Sequence, residues 1–273
     1  MKKSTVATRV FGVITVFIGF LLFITGLAPR LVAAPQSENP AQAQTGANPA
    51  GPPSEEKAAD LHMARKEYAE AAKTYKRLLE RDPRNAVYLN KLGIAYHQQT
   101  QLRSAMHYYE RAAKADPHYA DAVNNIGTIH YQRKKYGKAI KAYRKALEIH
   151  PDMASVLSNL GYAYFSDKRY PEAIEAFQRA LAVDPTVFER SSRTGSLLQD
   201  RSVENRGLFF FLMAKTYAQA GNAERCLFYL RKARDEGYAA LASVKTDPAF
   251  AAVVKDPAVQ EFLAPPPTEP AKP

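Results

Sequence analysis

Apolar and small side chains return along this chain at two spacings, one nested in the other. Between residues 86 and 119, Leu89, Leu92, Gly93 and Tyr96 fall at i, i+3, i+4 and i+7, the face of one helix. After a polar break at residues 98–101, Ala105, Tyr109, Ala112 and Ala113 form a second such stripe. This predicts two helices turned back on each other. The unit recurs every thirty-four residues: Pro83, Pro117, Pro151 and Pro185 keep the step, as do Ala71, Ala105, Ala139 and Ala173. Tyr75, Tyr109, Tyr143 and Phe177 keep it too, and so do Gly93, Gly127 and Gly161. Repetition at this length predicts a solenoid of stacked helix pairs. The glycine and alanine let paired helices approach closely, and the ring opposite fills the space between them. Each proline ends a second helix, because it cannot continue the hydrogen-bonded ladder.

Two weaker copies flank the regular ones. The first keeps Tyr68, Ala71, Tyr75 and Pro83 but has Ala58, Ala59 and His62 where leucine, glycine and tyrosine are expected. A fifth begins near Gly207, with Phe210, Met213, Ala214, Tyr217, Ala223, Cys226, Leu230 and Ala233 in matching places. The expected division is four repeats over 54–185, an insertion at 186–206, a fifth unit over 207–240 and capping helices over 241–264. Asp247-Pro248 and Asp256-Pro257 each open a short apolar stretch, and Asp at an N-cap with Pro behind it starts a helix well. The Pro-rich residues 265–273 read as a disordered tail.

The third and fourth copies, NNIGTIHYQRKKYGKAIKAYRKALEIHP and LGYAYFSDKRYPEAIEAFQRALAVDP, resemble the tetratricopeptide repeat. The resemblance covers roughly residues 54–238. It implies an all-α, right-handed superhelical solenoid of helix-turn-helix repeats, with the first helices lining a concave surface.

Ahead of the repeats, Lys2, Lys3 and Arg9 precede an uncharged run of eighteen residues, 10–27. It is long for a signal-peptide core and just long enough to cross a membrane. Residues 1–34 therefore read as a single transmembrane anchor or a signal peptide, and both send the rest of the chain across a membrane. The expected location is the cell envelope: anchored in the inner membrane with the repeats facing the periplasm, or secreted or periplasmic after cleavage. Residues 35–53, rich in Pro, Ala, Gln and Gly, read as a disordered linker.

Composition narrows the chemistry. The 273 residues are 24% charged, and 38 Lys+Arg against 27 Asp+Glu leave +11, an excess that suits acidic partners. The one cysteine, Cys226, excludes an intrachain disulfide framework and a Cys-rich zinc site. Six scattered histidines show no metal-ligand spacing, and no phosphate-binding glycine loop or nucleophile elbow occurs. No catalytic, cofactor-binding or metal residue is expected, so the chain reads as non-enzymatic.

Binding is the remaining reading. On each first helix the stripe opposite the packing face is expected to line the groove: Asn90, Lys91 and His97, then Asn124, Asn125, Thr128 and Tyr131, then Ser158, Asn159, Tyr162 and Phe165. Asn125 and Asn159 recur at one place, and an amide both donates and accepts, so it can hold a peptide link without reading its side chain. The resemblance implies that use. The expected function is a cell-envelope scaffold holding an extended segment of a partner protein. A second cluster, Arg133, Lys134, Lys135, Lys138, Lys141, Arg144 and Lys145, packs seven cations into thirteen residues without an acid. It supports an alternative: a basic adaptor docking through its outer face on acidic lipid, polysaccharide or nucleic acid. Export argues against the nucleic acid. A subunit of a secretion, pilus or outer-membrane assembly machine is the further alternative.

Overall fold

The computed structural model describes residues 54–189 and 205–264. The expected anchor or signal (1–34), the linker, most of the insertion and the tail lie outside the described residues. Among those described, every regular element is helical, and no helix is long and apolar enough to cross a membrane.

The helices come in pairs: α1 (Glu55–Ala64) with α2 (Tyr68–Arg81), α3 (Ala86–Gln98) with α4 (Leu102–Ala115), and α5 (Ala120–Gln132) with α6 (Tyr136–Ile149). Then come α7 (Ala154–Ser166) with α8 (Tyr170–Val183), and α9 (Arg206–Gln219) with α10 (Ala223–Asp235). Each pair also packs on the next, α2 on α3, α4 on α5, α6 on α7 and α8 on α9. This is the all-α repeat array that the thirty-four-residue period predicts.

The turn inside each pair is the same device five times. Lys66, Thr100, Lys134 and Lys168 have φ of 62°, 60°, 55° and 62°, and Gly221 takes 72° at the matching place. In the second unit the Thr100 amide donates to the His97 carbonyl and the Gln101 amide to the Tyr96 carbonyl. That double bond pattern is a Schellman ending, which closes a helix through one left-handed residue. Only the fifth unit uses the residue that adopts this backbone without strain. A β-branched side chain is the worst placed there, at a cost of about 1–2 kcal/mol. Thr100→Gly is therefore expected to raise stability by about 1 kcal/mol once the extra chain entropy of glycine is subtracted. Thermal melting reads this as a rise of about 2–4 °C.

Inside each pair, a ring sits against a bare backbone. A Cβ built on Gly93 would lie 2.6 Å from the Tyr109 ring, and one on Gly127 would lie 2.6 Å from the Tyr143 ring. Gly161 meets Phe177 in the same way. These rings and Tyr75 are fully buried. The end units relax the rule. Ala59 and Ala214 stand in the glycine's place, and Leu230 replaces the ring in the fifth unit.

Past α10 the chain closes the last apolar face. A 3-10 turn at Ala239–Lys245, another at Pro248–Phe250 and the short helix α11 (Pro257–Leu263) bury Val244, Phe250, Val253 and Val259. The Asp247 carboxylate accepts from the Ala249 amide, and the Asp256 carboxylate accepts from Ala258 and Val259. Both starts are the Asp-Pro signals read from the sequence.

Candidate functional site on the first-helix face

The first helices, α3, α5 and α7, are joined side by side by polar rungs. Asn125 Nδ2 donates to Asn90 Oδ1 at 3.0 Å, and Asn159 Nδ2 donates to Asn124 Oδ1 at 3.0 Å. At the equivalent place in the first two units the rung is ionic, Lys91 Nζ lying 3.5 Å from Glu56 Oε1 and 2.8 Å from Asp60 Oδ1. A second set follows further along the same helices. His97 Nε2 meets Gln132 Oε1 at 3.0 Å, and the Tyr131 and Ser166 hydroxyls lie 2.9 Å apart. Each of these uncharged rungs spans thirty-five residues, one more than the repeat. That offset follows from the stacking: the residue that reaches across lies one position later on the next helix.

The expected groove residues are therefore placed differently from the sequence reading. Ten of the eleven are less than a tenth exposed: Asn90, His97, Asn124, Asn125, Thr128, Tyr131, Ser158, Asn159, Tyr162 and Phe165. Lys91 is the exception, its side chain 27% exposed and tied to acids. They do not line an open groove. The physical reason is that a first helix in a stack is flanked by its own partner and by the first helices on either side. A stripe opposite one packing face thus meets another. Thr128 Oγ1 bonds the Asn124 carbonyl and the Tyr143 hydroxyl, and Tyr162 stacks against Phe209 with ring centroids 5.3 Å apart.

Three buried side-chain atoms among the described residues lack a hydrogen-bond partner: His130 Nδ1 toward the end of α5, and two beside the central rung. Asn125 Oδ1 and Ser158 Oγ are buried without a hydrogen-bond partner. They flank the Asn124–Asn159 rung, one residue along each helix. Carrying the register across the insertion brings Leu212 to the place where an amide would face Ser158, so the ladder of rungs stops there. An orphaned buried polar atom is rare enough to require a cause.

The remaining chemistry is quiet. Burial pushes the Cys226 thiol up to about 12, which suits a packed side chain and not a nucleophile. Among the described residues no cluster of three His, Cys, Asp or Glu is placed to hold a metal ion. Burial holds the His97 imidazole below its ordinary value, although the bond with Gln132 favours the charged form. His130 is also held low, first by burial and then by Lys138, Arg133 and Lys135. The sign of the linkage follows: a depressed imidazole leaves stability intact above the unfolded value and removes it as pH falls through the folded one. Taking the protein from about pH 7 to about pH 5 should lower its melting temperature, and His97→Gln should make that fall shallower. An equal slope in the variant would remove His97 from the account.

The seven cations of the basic cluster are all exposed, spread over the α5–α6 turn and α6. Among the described residues, Arg133, Lys135, Lys138, Lys141, Arg144 and Lys145 make no ion pair.

Three repeat models match the sequence: "Tetratricopeptide repeat" over residues 118–186, "TPR repeat" over 59–100, and "Tetratricopeptide repeat" over 86–119. No curated protein matches the chain. Among solved structures it is similar to a crystal structure of MamA, with 21% identity, 65% of this chain and 93% of the other covered, and a TM-score of 0.47. It is also similar to YrrB, described as a TPR protein with an unusual peptide-binding site, with 21% identity, 67% and 84% coverage and a TM-score of 0.45. The first TPR of Spaghetti, solved with a bound peptide, shares 25% identity over 38% of this chain and 83% of its own, with a TM-score of 0.38.

Proposed function

The chain is a tetratricopeptide repeat protein, of a scaffold family that is typically non-catalytic, and from that premise we propose that it holds an extended segment of a partner protein against its first-helix face. The observation that carries this reading is the pair of unpartnered atoms beside the central rung, Asn125 Oδ1 and Ser158 Oγ. Both atoms are closed off in the free array, and parting of the adjacent rungs would let Asn125 Oδ1 accept a peptide N–H and Ser158 Oγ donate to a peptide carbonyl. The neighbouring rungs then act as placeholders. Exchanging an amide–amide bond for an amide–peptide bond leaves the count of hydrogen bonds unchanged, so opening a rung for a ligand costs little net energy. Recognition through main-chain groups fixes an extended conformation and leaves the ligand's side chains free to vary.

The setting proposed is the cell envelope, with the apolar run at residues 10–27 as anchor or signal and the repeats beyond the membrane. What supports it is the cationic start and the length of that run.

The test is cross-linking in intact cells followed by mass spectrometry of what co-purifies. Asn125→Ala with Asn159→Ala should cut partner capture about tenfold, two hydrogen bonds at about 1 kcal/mol each being enough for that. A thermal melt checks that the doubly substituted array stays folded. Undiminished capture, lost instead on neutralising Lys135 and Lys138, overturns the reading.

A further inference from the structure

We propose that the edge of the array formed by the turns inside each helix pair, centred on the α5–α6 turn, docks on an anionic lipid surface. The shared left-handed turn sets residues 66, 134 and 168 at one structural place, and all three are lysine. Arg65, Arg133, Lys135 and Arg169 stand beside them in sequence, although Arg169 is taken up by Glu172. From the third unit the charge continues down α6, where Lys138, Lys141 and Lys145 fall at i, i+3 and i+7 on one stripe. Behind this cluster lies the half-buried His130, and the cations bear on its ring together with its burial.

The turns between units carry a mixture of charges, with Arg81 and Arg84 around the first of them and Lys114 before the second. Each turn from one unit to the next carries an aspartate: Asp82, Asp116, Asp152 and Asp184. The excess of cations is concentrated on the α5–α6 turn and α6, and a negatively charged plane draws that side down. The cations are densest at the α5–α6 turn and run the length of α6; the turn of the second unit carries no charge, and Glu67 and Asp167 stand beside the lysines of the first and fourth. A patch spread over both a turn and a helix matches a surface better than one extended acidic segment. The choice of lipid rests on the reading of residues 10–27 as a membrane anchor. A surface-bound cation contributes about 1 kcal/mol, so the exposed cluster suffices to hold a tethered array down.

The test is lysine acylation footprinting of the full chain in vesicles of phosphatidylcholine alone and with about one-third phosphatidylglycerol. Labelling of Lys135, Lys138, Lys141 and Lys145 should fall about threefold or more with the anionic lipid, relative to Lys114 on α4, and recover in about 0.5 M salt. Lys135→Glu with Lys138→Glu should abolish the protection of Lys141 and Lys145. Equal labelling in both lipids overturns the proposal. So does protection by added polyglutamate in phosphatidylcholine vesicles when phosphatidylglycerol gives none, which would assign the edge to an acidic protein segment. Alkaline extraction reports separately on the anchor. If the chain is released, the same footprint is taken with protein added to preformed vesicles. Protection there keeps the docking without the tether, and none overturns it.

Discussion

Gly127→Val is expected to unfold the middle of the array. A Cβ at this position already falls 2.6 Å from the Tyr143 ring, a separation that real Cβ atoms essentially never show, and valine adds two methyls beyond it. The ring cannot retreat, because Tyr143 is fully buried and its hydroxyl lies 3.2 Å from Thr128 Oγ1. Either α5 and α6 part, or the ring leaves its place and opens a cavity. Overpacking of this kind costs about 1–3 kcal/mol and occasionally more, and valine inside a helix gains little over glycine to offset it. About 3 kcal/mol or more is expected for valine. Gly127→Ala should cost less, since its helix propensity returns about 1 kcal/mol. Urea titration reads both values. A neutral Gly127→Ala together with a mild Gly127→Val would show that the helix pair is looser than the ring contact implies.

Phe209→Ala is expected to uncouple the fifth unit from the fourth. Phe209 is buried where α9 meets α7 and α8, its ring centroid 5.3 Å from Tyr162, 5.3 Å from Phe165 and 6.0 Å from Phe177. This aromatic cluster joins α7 to α9 as Asn–Asn pairs join the first helices earlier in the array. Truncating a buried phenylalanine costs about 3–5 kcal/mol. In a solenoid the loss falls on one interface and is not shared by the whole chain. Native-state hydrogen exchange should show amides of α9 and α10 opening at lower free energy while those of α3 to α6 keep theirs. A uniform loss over all helices would mean the array unfolds as a single cooperative block.

Much of this architecture is legible in the sequence because its causes are local and periodic. Gly93 facing Tyr109 and Gly127 facing Tyr143 each sit inside one unit, so spacing alone reveals the close approach. Asp247 and Asp256 announce their helices by the proline that follows. The polar stripe on the first helices was not legible in the same way. Its fate depends on what the neighbouring unit places opposite, and a periodicity of thirty-four gives the unit without the offset between units. The signal was nonetheless present. Asn90 and Asn125, Asn124 and Asn159, His97 and Gln132, and Tyr131 and Ser166 are polar pairs thirty-five residues apart. One residue beyond the repeat length is the mark of partners on adjacent first helices. The stop at Leu212 is equally readable once that offset is known. The left-handed lysines were hidden for another reason: nothing in the side chain of Lys66, Lys134 or Lys168 announces positive φ, and only Gly221 gives the turn away.

The measurement that bears most directly on the proposed function is amide hydrogen exchange of the full chain, alone and with its captured partner. Added protection is expected in α3, α5 and α7, strongest around Asn125 and Ser158, with α4 and α6 unchanged. Protection confined to α6 and the α5–α6 turn, with the first helices exchanging as before, would contradict it.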